Sequence, residues 1–139
     1  MIEIKDATNG DLDYCKTNSI DGDIKVYPNW DLTGWNKTVV VDGEIIGCGG
    51  VLIFWTGFGE AWICLSKNVE RHKIVAVRFL KKVLEDVLNE FNLVRLQITV
   101  RPDFPDAIKL VESLGFQYEG IMRKYLPTGK DAYLYAIVR

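Results

Sequence analysis

Up to residue 66 the hydrophobic positions fall in short runs that alternate or are unbroken and β-branched, the signature of strands. Ile2–Ile4 reads as a short first strand. Asp6-Ala7-Thr8-Asn9 then offers capping groups for a helix over about Gly10–Thr17. Residues 21–37 read as irregular. They hold Tyr27, Pro28, Trp30 and Trp35 in a polar, turn-rich stretch, where the tryptophans either anchor the loop on the core or line a substrate entrance. Thr38–Val41, the turn Asp42-Gly43 and Glu44–Phe54 predict a hairpin. Gly47, Gly49 and Gly50 inside its second strand point to a bulge or to close approach of another group. Glu60–Ser66 reads as the third strand of this meander.

The period then changes. Ile74, Val77, Leu80, Leu84, Val87, Leu88 and Phe91 recur at steps of three and four, which predicts the buried face of a helix over Ile74–Glu90. Lys81, Lys82, Glu85 and Asp86 fall on its wet side. Val94–Val100 alternates and reads as a strand. A strand–helix–strand unit favours parallel pairing of its two strands. Asp103 is placed to cap a second helix, with Pro105 in its first turn and Asp106 complementing the dipole. Ala107, Leu110, Val111 and Leu114 form its apolar face, Gly115 ends it and Phe116 packs back. Phe116–Tyr118 and Ala132–Val138 close the chain as an antiparallel pair.

Composition narrows this picture. With 139 residues, one α/β domain spanning 1–139 is expected. A net charge of -2 and a pI of about 5.4 argue against a general nucleic-acid binder. Cys15, Cys48 and Cys64 are odd in number, and the last two sit in apolar runs, which suits free buried thiols in a reducing compartment. No Cys-x-x-Cys pair accompanies the one histidine, His72, so no metal site is expected. The N-terminus carries no signal-peptide pattern, and no apolar run approaches the ~18–20 residues of a membrane span. A cytoplasmic location without membrane contact is therefore expected.

One stretch is specific enough to suggest kinship. Ala107-Ile108-Lys109-Leu110-Val111-Glu112-Ser113-Leu114-Gly115-Phe116 resembles the "A-hydrophobic-x-L-Y-x-x-L-G-F" helix and turn of the GNAT N-acetyltransferase superfamily. The segments Tyr118–Tyr125 and Gly129–Ala136 are similar to the closing strands of that family, and the resemblance spans about residues 38–139. It implies a central mixed, twisted sheet with an antiparallel N-terminal meander, a strand–helix–strand unit, a closing antiparallel strand pair and helices on both faces. It also implies acetyl-CoA as cofactor and a small-molecule or protein amine as acceptor, with a homodimer allowed.

The segment between the third strand and the long helix has its own physical logic. A helix start presents free backbone N–H groups to an anion. Lys67, Arg71, His72, Lys73 and Arg78 crowd there, although cations disfavour helix N-termini by a few tenths of a kcal/mol each. A bound anion explains that choice; a solvated helix start is the plain alternative. The family pattern "R/Q-x-x-G-x-G/A" for the CoA pyrophosphate maps onto Arg71-His72-Lys73-Ile74-Val75-Ala76, with Ile74 where glycine is usual. The resemblance makes these six residues, with Cys64, Leu65 and Ser66, cofactor-binding candidates, and it places an oxyanion donor on the backbone near Cys64 or Leu65.

Amine acetylation also needs a base and benefits from an acid. By resemblance Glu60 is the candidate base, directly or through water; otherwise it merely begins its strand. The family's acid, a tyrosine, falls at Val111, and its usual asparagine falls at Phe104. Tyr118, Tyr125 or Tyr133 could substitute, and Tyr125 is the candidate retained. Cys64 as an acyl-carrying nucleophile is weighed against inert core. The reading is therefore an acetyl-CoA-dependent N-acetyltransferase, with a catalytically weak or inactive GNAT-fold binding module, regulatory or protein-interacting, as the alternative.

Overall fold

Asp42 and Gly43 take positive φ angles of 49° and 79°, the geometry that folds a two-residue hairpin with the natural strand twist. The computed structural model describes residues 1–21 and 34–139. Trp30, Tyr27 and Pro28 lie outside the described residues. In chain order the elements are β1 (Ile2–Asp6), α1 (Asn9–Thr17), β2 (Trp35–Val41), β3 (Glu44–Trp55), β4 (Phe58–Leu65), a 3-10 turn (Lys67–Arg71), α2 (Lys73–Glu90), β5 (Arg95–Val100), α3 (Pro105–Ser113), β6 (Gln117–Met122) and β7 (Ala132–Val138). The strands form one seven-stranded mixed sheet in the order β1-β2-β3-β4-β5-β7-β6. β4 and β5 run parallel, as the intervening helix requires, and β7 closes antiparallel between β5 and β6. The fold is thus mixed α/β, with three α-helices among the described residues.

The chain divides into two compact units. The first comprises Met1–Leu52 and Trp62–Phe79. Here β1, β2 and the start of β3 pair antiparallel. Among the described residues its core includes a cluster of Leu12, Cys15, Cys48 and Cys64 and another of Val39, Val41, Ile46, Val69 and Ala76. Helix α1 starts at a reciprocal cap. Asp11 N–H donates to Thr8 Oγ1 at 3.1 Å, and Thr8 N–H donates to Asp11 Oδ2 at 3.0 Å. Register slips between Val39 and Val40, which is the predicted bulge. The close approach is present too: a Cβ on Gly50 would lie 2.1 Å from Asn36 Oδ1 and 2.8 Å from the Trp35 carbonyl oxygen.

The second unit comprises Ile53–Ala61 and Leu80–Arg139. Leu84, Val87 and Leu88 are buried on α2, while Lys81, Lys82, Glu85 and Asp86 are exposed. Gly115, at φ 100°, ends α3, and Phe116 is buried with its N–H on the Val111 carbonyl at 3.1 Å.

Three expectations fail. Strand β2 begins at Trp35, inside the stretch read as irregular, because Trp35 and Asn36 pair with Val51 and Gly50. Ile74 does not join the buried face of α2; it is 78% exposed, because Ala76, two residues on and on the opposite side of the helix, takes the buried position in that first turn. Asp103 does not cap α3. Phe104 holds that position with extended backbone (φ -121°, ψ 79°), as the residue before a proline must. Asp103 turns instead to Arg101 at 3.4 Å and Lys130 at 3.6 Å.

Candidate active site

In the second unit, the first residues of β4 lie beside β5 with Phe58 opposite Arg95, Gly59 opposite Leu96 and Glu60 opposite Gln97. Strand alternation sends Gly59, Ala61, Leu96 and Ile98 to buried positions and leaves Phe58, Glu60, Arg95 and Gln97 half-buried on the opposite face. These side chains are joined. Gln97 Nε2 donates to Glu60 Oε1 at 3.1 Å. Arg95 donates from Nε and Nη2 to Gln97 Oε1 at 3.3 and 3.1 Å. Its Nη1 and Nη2 also reach both oxygens of Glu119, on β6, at 3.0 and 2.6 Å. The guanidinium lies 6.0 Å from the Phe58 ring centroid. The hydrogen bond from Arg95 holds the Glu119 carboxyl below its usual range.

Tyr125, in the β6–β7 connection, is tied to this group electrostatically. Loss of solvation, and then the charge of Glu60, raise its phenol above the ordinary value. The hydroxyl therefore stays protonated at neutral pH and is competent to give up a proton to a stronger base. Val111 is buried at 3% exposure on α3 and offers none.

In the first unit, Cys64 and Ser66 are buried and Leu65 is half-buried. Ser66 is fully engaged in structure. Its N–H donates to the Ile46 carbonyl at 2.8 Å and its hydroxyl to the Ile45 carbonyl at 2.6 Å. Its oxygen also accepts from Asn68 N–H at 3.2 Å, which caps the 3-10 turn. Cys64 packs with Cys15 and Cys48. Its thiol is pushed up, first by hydrogen bonding with Cys15 and then by burial, and Cys15 is pushed up to about 12. A buried, protonated thiol is a poor nucleophile, so Cys64 fits the core.

Helix α2 makes its first intrahelical bond from Ala76 N–H to the His72 carbonyl at 2.8 Å. The N–H groups of Lys73, Ile74 and Val75 thus have no carbonyl one turn back. No acidic residue stands in that first turn to complement the dipole, and Lys73 is exposed beside it. Among the described residues, positive φ outside glycine occurs at Asp42, Asn92 and Lys124. Ile74 in place of glycine therefore strains nothing, because Arg71–Ala76 enters the helix through ordinary backbone angles. Arg71 and His72 already have an anion: Arg71 donates to Glu44 and to Asn68 Oδ1 at 2.7 Å, and His72 Nε2 lies 3.4 Å from Glu44 Oε1. The hydrogen bond from Arg71, then that from His72, lowers the Glu44 carboxyl.

Sequence reasoning nominates Glu60, Tyr125, Cys64–Ser66 and Arg71–Ala76; it does not foresee that Gln97, Arg95 and Glu119 join Glu60, or that Glu44 meets Arg71 and His72. A signal is present for two of them. Arg95 and Gln97 are long polar side chains at alternate positions of a strand that lies inside the sheet, where solvated positions are scarce. Among the described residues, no group of three or more His, Cys, Asp or Glu side chains is arranged to hold a metal ion.

A family model described as "Acetyltransferase (GNAT) family" matches residues 6–116. Solved structures share the fold at low identity. A chimera of the spermidine N-acetyltransferase SpeG from Vibrio cholerae is 16% identical with a TM-score of 0.75, covering 99% of this chain and 95% of its own. The ribosomal-protein-S18-alanine N-acetyltransferase of Escherichia coli is 22% identical with a TM-score of 0.74, covering 99% and 94%. A GNAT-family acetyltransferase of Bacillus anthracis is 19% identical with a TM-score of 0.71, covering 99% and 94%. No curated protein matches the sequence.

Proposed function

Because the chain belongs to the GNAT acetyltransferase family, we propose that it transfers an acetyl group from acetyl-CoA to a primary amine of a small molecule or a protein. The observation that carries this reading is Glu60. Its carboxylate is steered by Gln97 and shares a local field with Tyr125. A carboxylate takes the proton that an ammonium must lose before it can attack a thioester, directly or through a water. Tyr125 supplies the acid that Val111 lacks. The cofactor phosphates fit the start of α2, where the N–H groups of Lys73, Ile74 and Val75 point outward beside Arg71, His72 and Lys73. The backbone of Cys64 and Leu65 is the candidate oxyanion donor. In this reading Ser66 shapes the turn rather than touching the cofactor.

Calorimetry with acetyl-CoA comes first, followed by thiol release across an amine panel that includes spermidine and a peptide with N-terminal alanine. Glu60→Gln is expected to lower turnover about 100-fold, the ordinary contribution of a general base. The reading of the chain as a binding module rests on Val111, Phe104 and Ile74 in place of the family's tyrosine, asparagine and glycine, and turnover that is present in wild type and collapses in Glu60→Gln rules it out. Absence of binding at millimolar acetyl-CoA ends the proposal itself.

A further inference from the structure

A glutamine beside a carboxylate is useful only if its amide faces the right way. Turned one way, the NH2 donates to the carboxylate; turned the other, two oxygens confront each other and repel. At Glu60 the direction is set from behind. Arg95 has donors and no acceptor. Both its Nε and its Nη2 converge on one end of the Gln97 amide, at 3.3 and 3.1 Å. That end must be the oxygen, so the NH2 meets Glu60 Oε1 at 3.1 Å. Arg95 is itself held from turning. Glu119 grips Nη1 and Nη2 together, and the Phe58 ring lies against the guanidinium. Glu119 reaches it from β6 across β7, whose residues opposite Arg95 and Gln97 are Val138 and Ala136.

We infer that Gln97 is a positioning residue for Glu60, and that Arg95 and Glu119 act behind it to set the direction of its amide. The inference rests on the reading of Glu60 as the base. Its physical content is orientation. With Oε1 satisfied by Gln97, the carboxylate plane is fixed and Oε2 is the oxygen left to receive a proton. A base held in one geometry avoids the reorganisation that a freely turning carboxylate undergoes at each turnover. The chain also explains why a guanidinium and an amide occupy an interior strand of the sheet. They serve the carboxylate on the neighbouring strand.

The test is a double-mutant cycle read as kcat and as KM for acetyl-CoA. Gln97→Leu is expected to lower kcat about tenfold or more, the scale of one hydrogen bond to a charged group, with the acetyl-CoA KM unchanged. Arg95→Met is expected to lower kcat less, because the amide is then free to turn rather than absent. In the Gln97→Leu background Arg95→Met is expected to add nothing, since there is no amide left to direct. Multiplicative losses, or equal rises in KM, overturn the inference. If Gln97→Leu folds poorly, Glu119→Gln, a milder change, carries the test: it is expected to lower kcat with the acetyl-CoA KM unchanged, and full activity overturns the inference.

A second readout needs no substrate. In labelled protein the Gln97 side-chain amide resonances are expected to shift on Glu60→Gln, because the charged acceptor of the amide hydrogen bond is then neutral. An amide indifferent to the Glu60→Gln change refutes the geometry. The two readings also fail separately. If Glu60→Gln keeps full turnover, Glu60 is not the base. If Glu60→Gln is dead while Gln97→Leu is fully active, only the positioning role falls.

Discussion

Replacing Asp11 by alanine probes the most heavily used carboxylate of the first unit. Asp11 is 6% exposed. Its Oδ2 accepts from Thr8 N–H at 3.0 Å and from the Thr38 hydroxyl at 2.9 Å, and its Oδ1 lies 3.5 Å from Lys5 Nζ. Asp11→Ala leaves the Thr8 N–H for water, at a cost of about 0.5–1 kcal/mol for half of a capping box. It also leaves the hydroxyl of Thr38, a fully buried residue, without its acceptor, which costs about 1–3 kcal/mol. Together these predict about 1.5–4 kcal/mol, or a fall in Tm of roughly 10 °C for a chain of this length. The pH dependence has a definite sign. Burial pushes the Asp11 carboxyl up, but the bonds from Thr8 and Thr38 and the charge of Lys5 outweigh it, so the folded value lies below the ordinary one. The contribution is therefore fully present above about pH 4, the unfolded value, and is lost as the pH falls through the folded one. Urea unfolding of wild type, Asp11→Ala, Thr38→Val and the double variant measures this. Thr38→Val is expected to cost less in the alanine background than in wild type, by about 1–2 kcal/mol. Strict additivity, or an Asp11→Ala loss under about 0.5 kcal/mol, refutes the reasoning.

Three further outcomes are expected. Gly50→Ala drives a methyl into Asn36 Oδ1 and the Trp35 carbonyl, so thermal melts are expected to show a loss of about 2–3 kcal/mol or failure to fold. Glu44→Gln releases Arg71 and His72 from their internal anion, and calorimetry is expected to show acetyl-CoA binding about two- to fivefold tighter, with a steeper dependence on salt. The buried thiols of Cys15, Cys48 and Cys64 are expected to resist an aromatic disulfide reagent at pH 8 in the folded protein and to react, all three, in urea.

The features legible in the sequence were local ones. Asp42-Gly43 announced a hairpin because few residue pairs tolerate two positive φ angles in succession. The change from period two to period 3.6 near Ile74 announced α2, and Pro105 with Gly115 bracketed α3. Even the glycines of β3 spoke for themselves, since a strand gives up side chains where something else must stand. The failures were local rules applied one residue too far. Ile74 stands at a helical step from Val77, but Ala76 is the residue of that turn that enters the core. Asp103 has the chemistry of a cap, but the proline two residues on fixes which residue is extended.

Periodicity states which face a side chain takes and is silent about what it meets there. Glu60 and Gln97 stand 37 residues apart and meet because a parallel crossover sets β4 and β5 in one particular register. Arg95 finds Glu119 because β7 inserts between β5 and β6, an order of strands that the succession of strands and helices does not reveal. Glu44 reaches Arg71 and His72 across a separation of similar scale, and three cysteines scattered through the chain share one cluster. The elements and the family are legible along the chain, because both depend on neighbours in sequence. Which amide meets which carboxylate waits for the folded sheet, because hydrogen bonds of about 3 Å are set by register, and register is settled only when the whole sheet forms.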